Sequence, residues 1–257
     1  MNTSPTPVQL ATELMRSAER MVFFTGAGIS TESGLPDYRG PNGVWTTGKI
    51  PTVGDMPRSD RARLDFWQQR RAMYPYMRSR QPNAGHVAIA ELVASQQAIA
   101  VITQNIDGLH QRSGIPADRV IELHGSTLRL RCVPNSHYVD GDDVQELLEQ
   151  GVIDPRCPDC GGELRSDTVL FGESLPKPAL EMAARVSSIA DVMVIVGSSL
   201  VVYPAAQLPQ IARDRGAKLV IIDRAETALD SLADVIIRGE AGTVLADIAA
   251  SLLGENA

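Results

Sequence analysis

At 257 residues, the chain is long enough to bury a substantial core, either as one large domain with insertions or as two small domains. Its 44% hydrophobic and 21% charged residues are ordinary for a globular protein and argue against a disordered or fibrous chain. The net charge of −7 argues against nonspecific binding to nucleic acid, so we expect no direct nucleic-acid partner. No apolar run approaches the roughly 20 residues that span a bilayer, and residues 1–9 lack the pattern of a signal peptide. We therefore expect no membrane partner and a cytoplasmic location, while the oligomeric state stays open.

Short apolar runs alternate with segments of helical periodicity along the chain. The apolar runs, which we predict to be strands, are 21–25, 98–103, 120–123, 192–196, 219–222 and 235–237. The periodic segments, which we predict to be helices, are 7–20, 84–96, 178–189, 205–215 and 244–253. This alternation is typical of a parallel sheet that helices cover on both faces.

Two stretches interrupt the alternation. Residues 40–82 are rich in Pro, Gly, Arg and Tyr, and residues 131–165 contain every cysteine. We therefore predict an α/β fold with a parallel-sheet, Rossmann-like domain (1–39, 83–130 and 166–257) and a smaller lobe. This lobe comprises a helical insertion (40–82) and a cysteine-containing, zinc-ribbon-like insertion (131–165). Five arginines of the first insertion are expected to lie on a solvated helix face: Arg58, Arg61, Arg63, Arg70 and Arg71.

A glycine-rich turn, Gly26-Ala27-Gly28, follows the first predicted strand. Glycines at such a turn let the backbone approach a pyrophosphate, and the exposed amides bind its charge. Taken alone the motif is weak, because a tight turn without a ligand has the same pattern. The dehydrogenase fingerprint is incomplete, since Thr31 stands where its third glycine belongs and no strand ending in Asp or Glu follows about 20 residues later. The pattern therefore disfavours a hydride-transfer enzyme.

Polar residues also follow other predicted strands. Gln104, Asn105 and Asp107 lie after 98–103, where ligands bind in open α/β sheets, although Asp107 could instead cap the next helix. His124 ends the strand 120–123, and a histidine there can accept a proton from a hydroxyl near neutral pH. We expect the histidines His86 and His110 to be structural.

Four motifs in order resemble those of the sirtuins, the NAD-dependent protein deacylases. They are GAGISTESGLPDYRG (26–40), TQNIDGLH (103–110), His124-Gly125 and GSS (197–199), within a match from about 21 to 241. The resemblance implies that NAD is a co-substrate and that acylated-lysine proteins are the partners. It implies that the acyl oxygen attacks the nicotinamide ribose, that nicotinamide leaves, and that the acyl group ends on ADP-ribose.

The resemblance also assigns site residues. It implies that His124 is the general base and that Asn105 is catalytic. It places the cofactor at Gly26, Ala27, Gly28, Glu32, Tyr38, Arg39, Gln104, Asn105, Ile106, Asp107, Gly197, Ser198, Ser199, Asp223, Arg224 and Ala241. It places the substrate at Val169, Phe171, Gly172 and Glu173, in a segment (167–173) where an extended peptide would add a strand; an ordinary edge strand is the alternative.

The chain departs from the family at several positions. Tyr38 stands where most sirtuins have Phe, a substitution found in the branch with the mitochondrial lipoamidase and ADP-ribosyl transferase. Asp223 stands where the family usually has Asn, although a carboxylate also accepts from ribose hydroxyls. The Tyr of the desuccinylase Tyr–Arg pair is absent, which favours a neutral acyl chain, while Arg70 leaves an acidic one open.

The three cysteines suggest a metal site. Cys157 and Cys160 have the spacing of a zinc knuckle, and Cys132 would be a third ligand. Asn135 occupies the place of the family's remaining cysteine. His137, two residues beyond, or a water would complete the site, and the alternative is a metal-free site held by packing.

Two other functions compete with lysine deacylation. One is protein ADP-ribosylation, in which a side chain replaces the acyl oxygen as the nucleophile. The other is a non-catalytic sensor of NAD or ADP-ribose, although a sensor has no need of a base such as His124.

Overall fold

The computed structural model describes residues 4–37 and 59–254. Its strands, in chain order, are β1 (Met21–Thr25), β2 (Ala98–Thr103), β3 (Val120–Glu122), β4 (Arg129–Cys132), β5 (Tyr138–Asp140), β6 (Leu164–Ser166), β7 (Val192–Val196), β8 (Lys218–Ile222) and β9 (Val235–Ile237). Its α-helices are α1 (Pro7–Arg16), α2 (Asp60–Ser79), α3 (Ala84–Ala94), α4 (Leu109–Arg112), α5 (Gly141–Glu149), α6 (Lys177–Ile189), α7 (Gln207–Asp214) and α8 (Ala241–Leu253). Short 3-10 helices lie at Ala27–Ser33, Ala117–Arg119 and Asp230–Leu232.

Six parallel strands form the main sheet, in the order β3-β2-β1-β7-β8-β9. The predicted strands match the observed ones within one residue at each end. The first predicted helix is shorter than expected and ends at Arg16. The chain turns there because the Asp191 carboxylate accepts the backbone N–H groups of Glu19 and Arg20, at 2.9 and 3.0 Å.

Helices cover both faces of this sheet, as predicted. One core joins Phe23, Val194 and Val220 of the strands to residues of α1, α3 and α8, and the other joins Phe24 and Ile195 to residues of α6 and α7. Side chains at successive strand positions point to opposite faces, so adjacent Phe23 and Phe24 belong to different cores. The apolar β-branched runs are therefore buried on both sides, which is why they read as continuous rather than alternating.

A second, antiparallel sheet has the order β5-β4-β6. It packs with α2 and α5 around a separate core that includes Trp67, Leu130, Val144 and Leu164, with Cys132 and Cys157 at its edge. The predicted α/β class, with a parallel sheet and a small cysteine-containing unit, is confirmed.

The expectation of a solvated arginine face is wrong for Arg63 and Arg70 of α2, and Arg58 lies outside the described residues. The Arg63 guanidinium lies 2.9 Å from Asp154 and 3.2 Å from Glu163, and its side chain is only 13% exposed. Arg70 is buried over the Tyr74 ring and donates to the Thr127 carbonyl at 3.3 Å. Since the two arginines are seven positions apart, both lie on the face of α2 that packs against the rest of the small lobe.

Within the ranges 4–37 and 59–254, no helix has the length and apolar character needed to cross a membrane.

Candidate active site

A cavity of about 530 Å³ lies along the carboxyl ends of the parallel strands. In this sheet β1 lies between β2 and β7, so the strand order reverses there, and ligands of open α/β sheets bind at such a point. The predicted residues that line it are Gly26, Ala27, Gly28, Gln104, Asn105, Ile106, His124, Val169, Phe171, Gly172, Glu173, Gly197, Ser198, Ser199, Asp223, Arg224 and Ala241. Glu32 and Asp107 lie off its wall, and Tyr38 and Arg39 lie outside the described residues.

The glycines at the ends of β1 and β7 pack directly against one another. Gly28 N–H donates to the Gly197 carbonyl at 2.9 Å. A Cβ on Gly28 would lie 2.6 Å from Gly197 Cα, and a Cβ on Gly197, whose φ is +61°, would lie 2.3 Å from Ile29 N. Close packing of the backbone is therefore enough to require glycine at both positions, and no sequence motif indicates this reason. The predicted approach of a pyrophosphate to this turn stays a prediction.

A set of side-chain hydrogen bonds orients the residues that follow β2. Gln104 Nε2 donates to Ser198 Oγ at 2.8 Å, which joins the ends of β2 and β7. Asn105 Nδ2 donates to the Gly26 carbonyl and to Ser30 Oγ, both at 3.2 Å. These hydrogen bonds fix the amide planes of Gln104 and Asn105.

Asp107 lies behind Asn105 and is almost fully buried. Its carboxylate accepts from Ser30 Oγ at 2.8 Å and from the Leu109 N–H at 2.9 Å. The N-cap of α4 is Gly108, which makes no side-chain capping bond, so the alternative of Asp107 as N-cap is wrong; Asp107 instead binds the N–H two residues on. Burial raises the pKa of Asp107, and the two hydrogen bonds oppose that rise.

His124 follows β3 and faces the cavity. Its Nδ1 lies 2.8 Å from the Gln104 carbonyl oxygen, which can only accept, so Nδ1 carries the proton and Nε2 of the neutral ring carries the lone pair. Burial lowers the pKa of His124 below its ordinary value, against the opposing effect of this hydrogen bond. The ring is therefore neutral near pH 7 and can accept a proton at Nε2.

The segment 167–173 forms the wall opposite the sheet. Residues 167–170 belong to no strand, so the edge-strand alternative does not describe them. Val169 N–H donates to the His124 carbonyl at 2.9 Å, and Arg165 holds both oxygens of Glu173 at 2.9 Å. This ion pair lowers the pKa of Glu173 and fixes the segment next to His124.

Charged residues cluster where β8 and β9 end. Arg224 lies 3.3 Å from Glu240 and 3.8 Å from Asp37, and all three line the cavity beside Asp223. Burial raises the pKa of Asp223, whose Oδ1 accepts the Ala225 N–H at 2.9 Å. Sequence reasoning missed Asp37 and Glu240. Glu240 could have been found, because it follows the predicted strand 235–237, and polar residues after the other strands were already candidates.

The structure places Glu32 at the start of α8 rather than on the cavity wall. Its carboxylate accepts the Gly242 N–H at 2.6 Å, in place of the missing intrahelical partner at a helix N-terminus. This contact extends α8 to Ala241, three residues before its predicted start. Glu32 thereby ties the 3-10 helix after β1 to α8.

The other histidines, His86 and His110, are buried away from the cavity. His86 Nδ1 bonds to Asn83 Oδ1 at 3.0 Å, and Asn83 in turn donates to the Ile29 carbonyl at 2.7 Å. His110 Nε2 lies 2.9 Å from Thr25 Oγ1. Both histidines have internal hydrogen-bond partners, as expected of structural residues.

The cysteines converge at the edge of the small sheet. The sulfurs of Cys132, Cys157 and Cys160 lie within 4.8 Å of one another, and all three are free thiols. His137 Nε2 lies 2.7 Å from Cys157 Sγ and 3.1 Å from Asp159 Oδ2. The Gly162 N–H lowers the pKa of Cys160, whereas burial raises the pKa of Cys132 to about 11, and the thiolate is the form that binds metals. The cluster could hold a metal ion.

A glycine-lined cavity at the reversal point of a parallel sheet is the arrangement of dinucleotide-binding α/β proteins. The sequence model that describes the Sir2 family matches residues 26–204 of this chain. The chain therefore belongs to the Sir2 family of NAD-dependent protein deacylases, and the predicted class of enzyme is confirmed.

Individual relatives agree with this family. The NAD-dependent protein deacetylase of Thermodesulfovibrio yellowstonii is 41% identical, over 92% of this chain and 91% of its own. NAD-dependent protein deacylase 2 of Pyrobaculum aerophilum is 44% identical, over 91% of each chain. A solved structure of Sir2Af2 bound to a myristoylated histone peptide is 38% identical, covers 97% of this chain and 98% of its own, and has a TM-score of 0.76.

Proposed function

We propose that the protein removes neutral acyl groups from lysine side chains, with NAD as co-substrate and His124 as the general base. The observation that carries the proposal is the neutral His124 ring. Its Nδ1 is fixed by the Gln104 carbonyl, and it shares one cavity with Asn105 and the glycine turn.

The proposed reaction is a displacement at the nicotinamide ribose. The acyl carbonyl oxygen attacks the anomeric carbon, the bond from that carbon to nicotinamide breaks, and nicotinamide leaves with the bonding electrons. His124 Nε2 then accepts the proton of a ribose hydroxyl, which attacks the resulting alkylimidate. Addition of water and loss of the lysine amine give O-acyl-ADP-ribose.

The proposed cofactor site consists of residues on the cavity wall and of Asp107 behind that wall. The twelve predicted cofactor residues on the cavity wall include Asn105, which we propose holds the nicotinamide carboxamide and ribose. Asp107 would support Asn105 from behind through Ser30, which bonds to both side chains. The cofactor roles of Glu32, Tyr38 and Arg39 stay predictions.

A neutral acyl chain is supported by the walls of the cavity. Val169, Phe171, Leu175 and Val202 are apolar lining residues. Arg70, the remaining candidate for an acidic acyl group, is buried in the small lobe and donates to a backbone carbonyl. Sir2Af2 binds a myristoylated histone peptide, so acylated proteins, including those with long chains, are proposed substrates. We include the lipoyl group among the proposed acyl groups because Tyr38 resembles the residue found in the branch with the mitochondrial lipoamidase.

The test is nicotinamide release with lysine peptides carrying acetyl, lipoyl, myristoyl or succinyl groups. We expect release that requires an acyl peptide, with acetyl, lipoyl or myristoyl outpacing succinyl. His124→Ala should lower kcat by about 10²- to 10⁴-fold, the usual effect of losing a general base. Release that needs no acyl peptide would instead mean ADP-ribosylation or NAD hydrolysis, and NAD binding without release would mean a sensor.

We also propose that the insertions 40–82 and 131–165 together make the small lobe. The described part of the first insertion supports this, because Trp67 shares a core with Val144 and Leu164 of the second. The observed sheet runs from Arg129 to Ser166, slightly beyond the second insertion at both ends. Limited proteolysis that separated α2 from this sheet without unfolding either would contradict the division.

Zinc is the proposed metal, with a structural role and Cys132, Cys157 and Cys160 as ligands. His137, whose Nε2 contacts Cys157 Sγ but does not group with the other two sulfurs, or a water would complete the site. Cys132 Sγ and Cys160 Sγ are 3.5 Å apart, close to the roughly 3.8 Å separation in tetrahedral zinc sites with Zn–S near 2.3 Å. We expect about one zinc per chain by elemental analysis and a lower zinc affinity in His137→Ala. Less than about a tenth of an equivalent in folded, active protein would contradict the proposal.

We propose a cytoplasmic location, which the three free thiols support because disulfides are rare in reducing compartments. Cell fractionation that recovered the protein outside the cytoplasm would contradict it.

A further inference from the structure

Two buried threonines end the neighbouring strands β1 and β2. Thr25 and Thr103 are direct partners in the sheet register, and their exposed fractions are 0% and 3%. Their hydroxyl oxygens are 2.8 Å apart, so one hydroxyl donates to the other. The residues that follow them, Gly26 and Gln104, already line the cavity. The threonine pair is therefore directly beneath the site, although neither side chain is on its wall.

This pair links a histidine to Asn105. His110 Nε2 lies 2.9 Å from Thr25 Oγ1, and the Asn105 backbone N–H donates to Thr103 Oγ1 at 3.0 Å. His110 is 1% exposed, and burial lowers its pKa well below the ordinary value, so its ring is neutral. A continuous chain of three hydrogen bonds thus runs from His110 through both hydroxyls to the Asn105 backbone.

This series of hydrogen bonds helps to set the direction of the Asn105 side chain. Among residues 4–37 and 59–254, the amide of that side chain makes two longer bonds, both 3.2 Å, to Gly26 and Ser30. Hydrogen bonds in a buried, low-dielectric environment are strong when complete and costly when one member is lost. Loss of a threonine hydroxyl would leave a buried donor or acceptor without its partner, and the Asn105 backbone would move to regain one.

We propose that His110, Thr25 and Thr103 are positioning residues that hold Asn105 in the geometry needed for cleavage of the bond to nicotinamide. The inference rests on the proposed role of Asn105. None of the three side chains lies on the cavity wall, and the last hydrogen bond of the series reaches Asn105.

The test uses valine, which has the shape of threonine without the hydroxyl. T25V and T103V are compared with wild type by steady-state kinetics, with NAD and an acetyl-lysine peptide, at a temperature where each is folded. We expect kcat to fall about tenfold or more, since small misplacements of a reacting group cost up to about 10²-fold, while KM for the peptide stays unchanged. Thr25→Ser, which keeps the hydroxyl, should restore kcat.

The matched control is T12V. Thr12 is also buried, and its hydroxyl donates to the Val8 carbonyl at 2.9 Å on α1, away from the cavity. T12V should lower the melting temperature without changing kcat. If T25V does not fold, T103V and His110→Gln remove other members of the same series of hydrogen bonds and test the same inference.

The outcomes separate this inference from the proposed function. Asn105→Ala should abolish most activity, and if it does not, the role of Asn105 fails. If Asn105→Ala is inactive while T25V and T103V lose only stability, as T12V does, the positioning inference is overturned and the proposed function stands.

Discussion

Where β1, β2 and β7 end, the main sheet is held by contacts between buried, uncharged groups, whereas the small lobe combines a small core with part-buried ion pairs and a cluster of thiols. Gly28 meets Gly197 backbone to backbone, and Thr25 meets Thr103 beneath the cavity. In the small lobe Arg63 joins α2 to two acidic residues, around a core far smaller than those of the sheet. Buried uncharged contacts tolerate little displacement, while long charged side chains adjust. The reacting groups therefore lie in the parallel-sheet domain, whose packing tolerates less displacement than that of the small lobe.

Metal removal should give the largest difference between the two regions. Structural zinc contributes folding free energy directly, and the small lobe has few other buried groups. After treatment with a chelator we expect fast amide hydrogen exchange in β4, β5 and β6 and slow exchange in β1 and β7. Equal loss of protection in both sheets would show that the lobes do not differ in this way.

Gly197→Ala should strongly destabilise the sheet where β1 and β7 end. The new Cβ would lie 2.3 Å from Ile29 N, and φ at this position is +61°. We expect a loss of about 3 kcal/mol in the free energy of unfolding, measured with urea, from overpacking combined with left-handed backbone strain.

Gly114→Ala is its matched control. Gly114 has φ of +104°, but a Cβ there would meet nothing within 4 Å. We therefore expect a loss of only about 1 to 2 kcal/mol in the free energy of unfolding, from left-handed backbone strain. Equal losses in the two variants would mean that close packing against Gly28 contributes nothing.

Acid should weaken the sheet domain through its neutral histidines. Burial lowers the pKa of His86 to about 4, below the ordinary 6.5, so between these values the unfolded chain binds more protons than the folded one. Stability from this group is complete above about pH 6.5 and is lost as the pH falls towards 4.

Comparison with His86→Asn isolates this contribution, since Asn does not titrate. Between pH 7 and 5 we expect wild type to lose about 2 kcal/mol more unfolding free energy than the variant. Parallel pH profiles for the two proteins would contradict a neutral, buried His86.

The sequence allows one part of the structure to be predicted far better than another. The predicted strand 98–103 has the observed bounds, because runs buried on both faces are apolar throughout. Candidate residues such as Asn105 and His124 were found because ligand sites lie where strands end.

Other features depend on partners that no local pattern identifies. Glu32 bonds to Gly242, 210 positions away, and Arg63 bonds to Asp154, 91 positions away. A charged residue on a helix is normally solvated, so only the packing of the small lobe shows that Arg63 turns inward.

The glycine contact between the ends of β1 and β7 also affects how such folds are compared. No side chain takes part in it, and neither position can accept one without displacing the other strand end. Compensating pairs of substitutions therefore cannot arise there. Methods that infer contacts from correlated changes among relatives will find no signal at one of the closest approaches in the molecule.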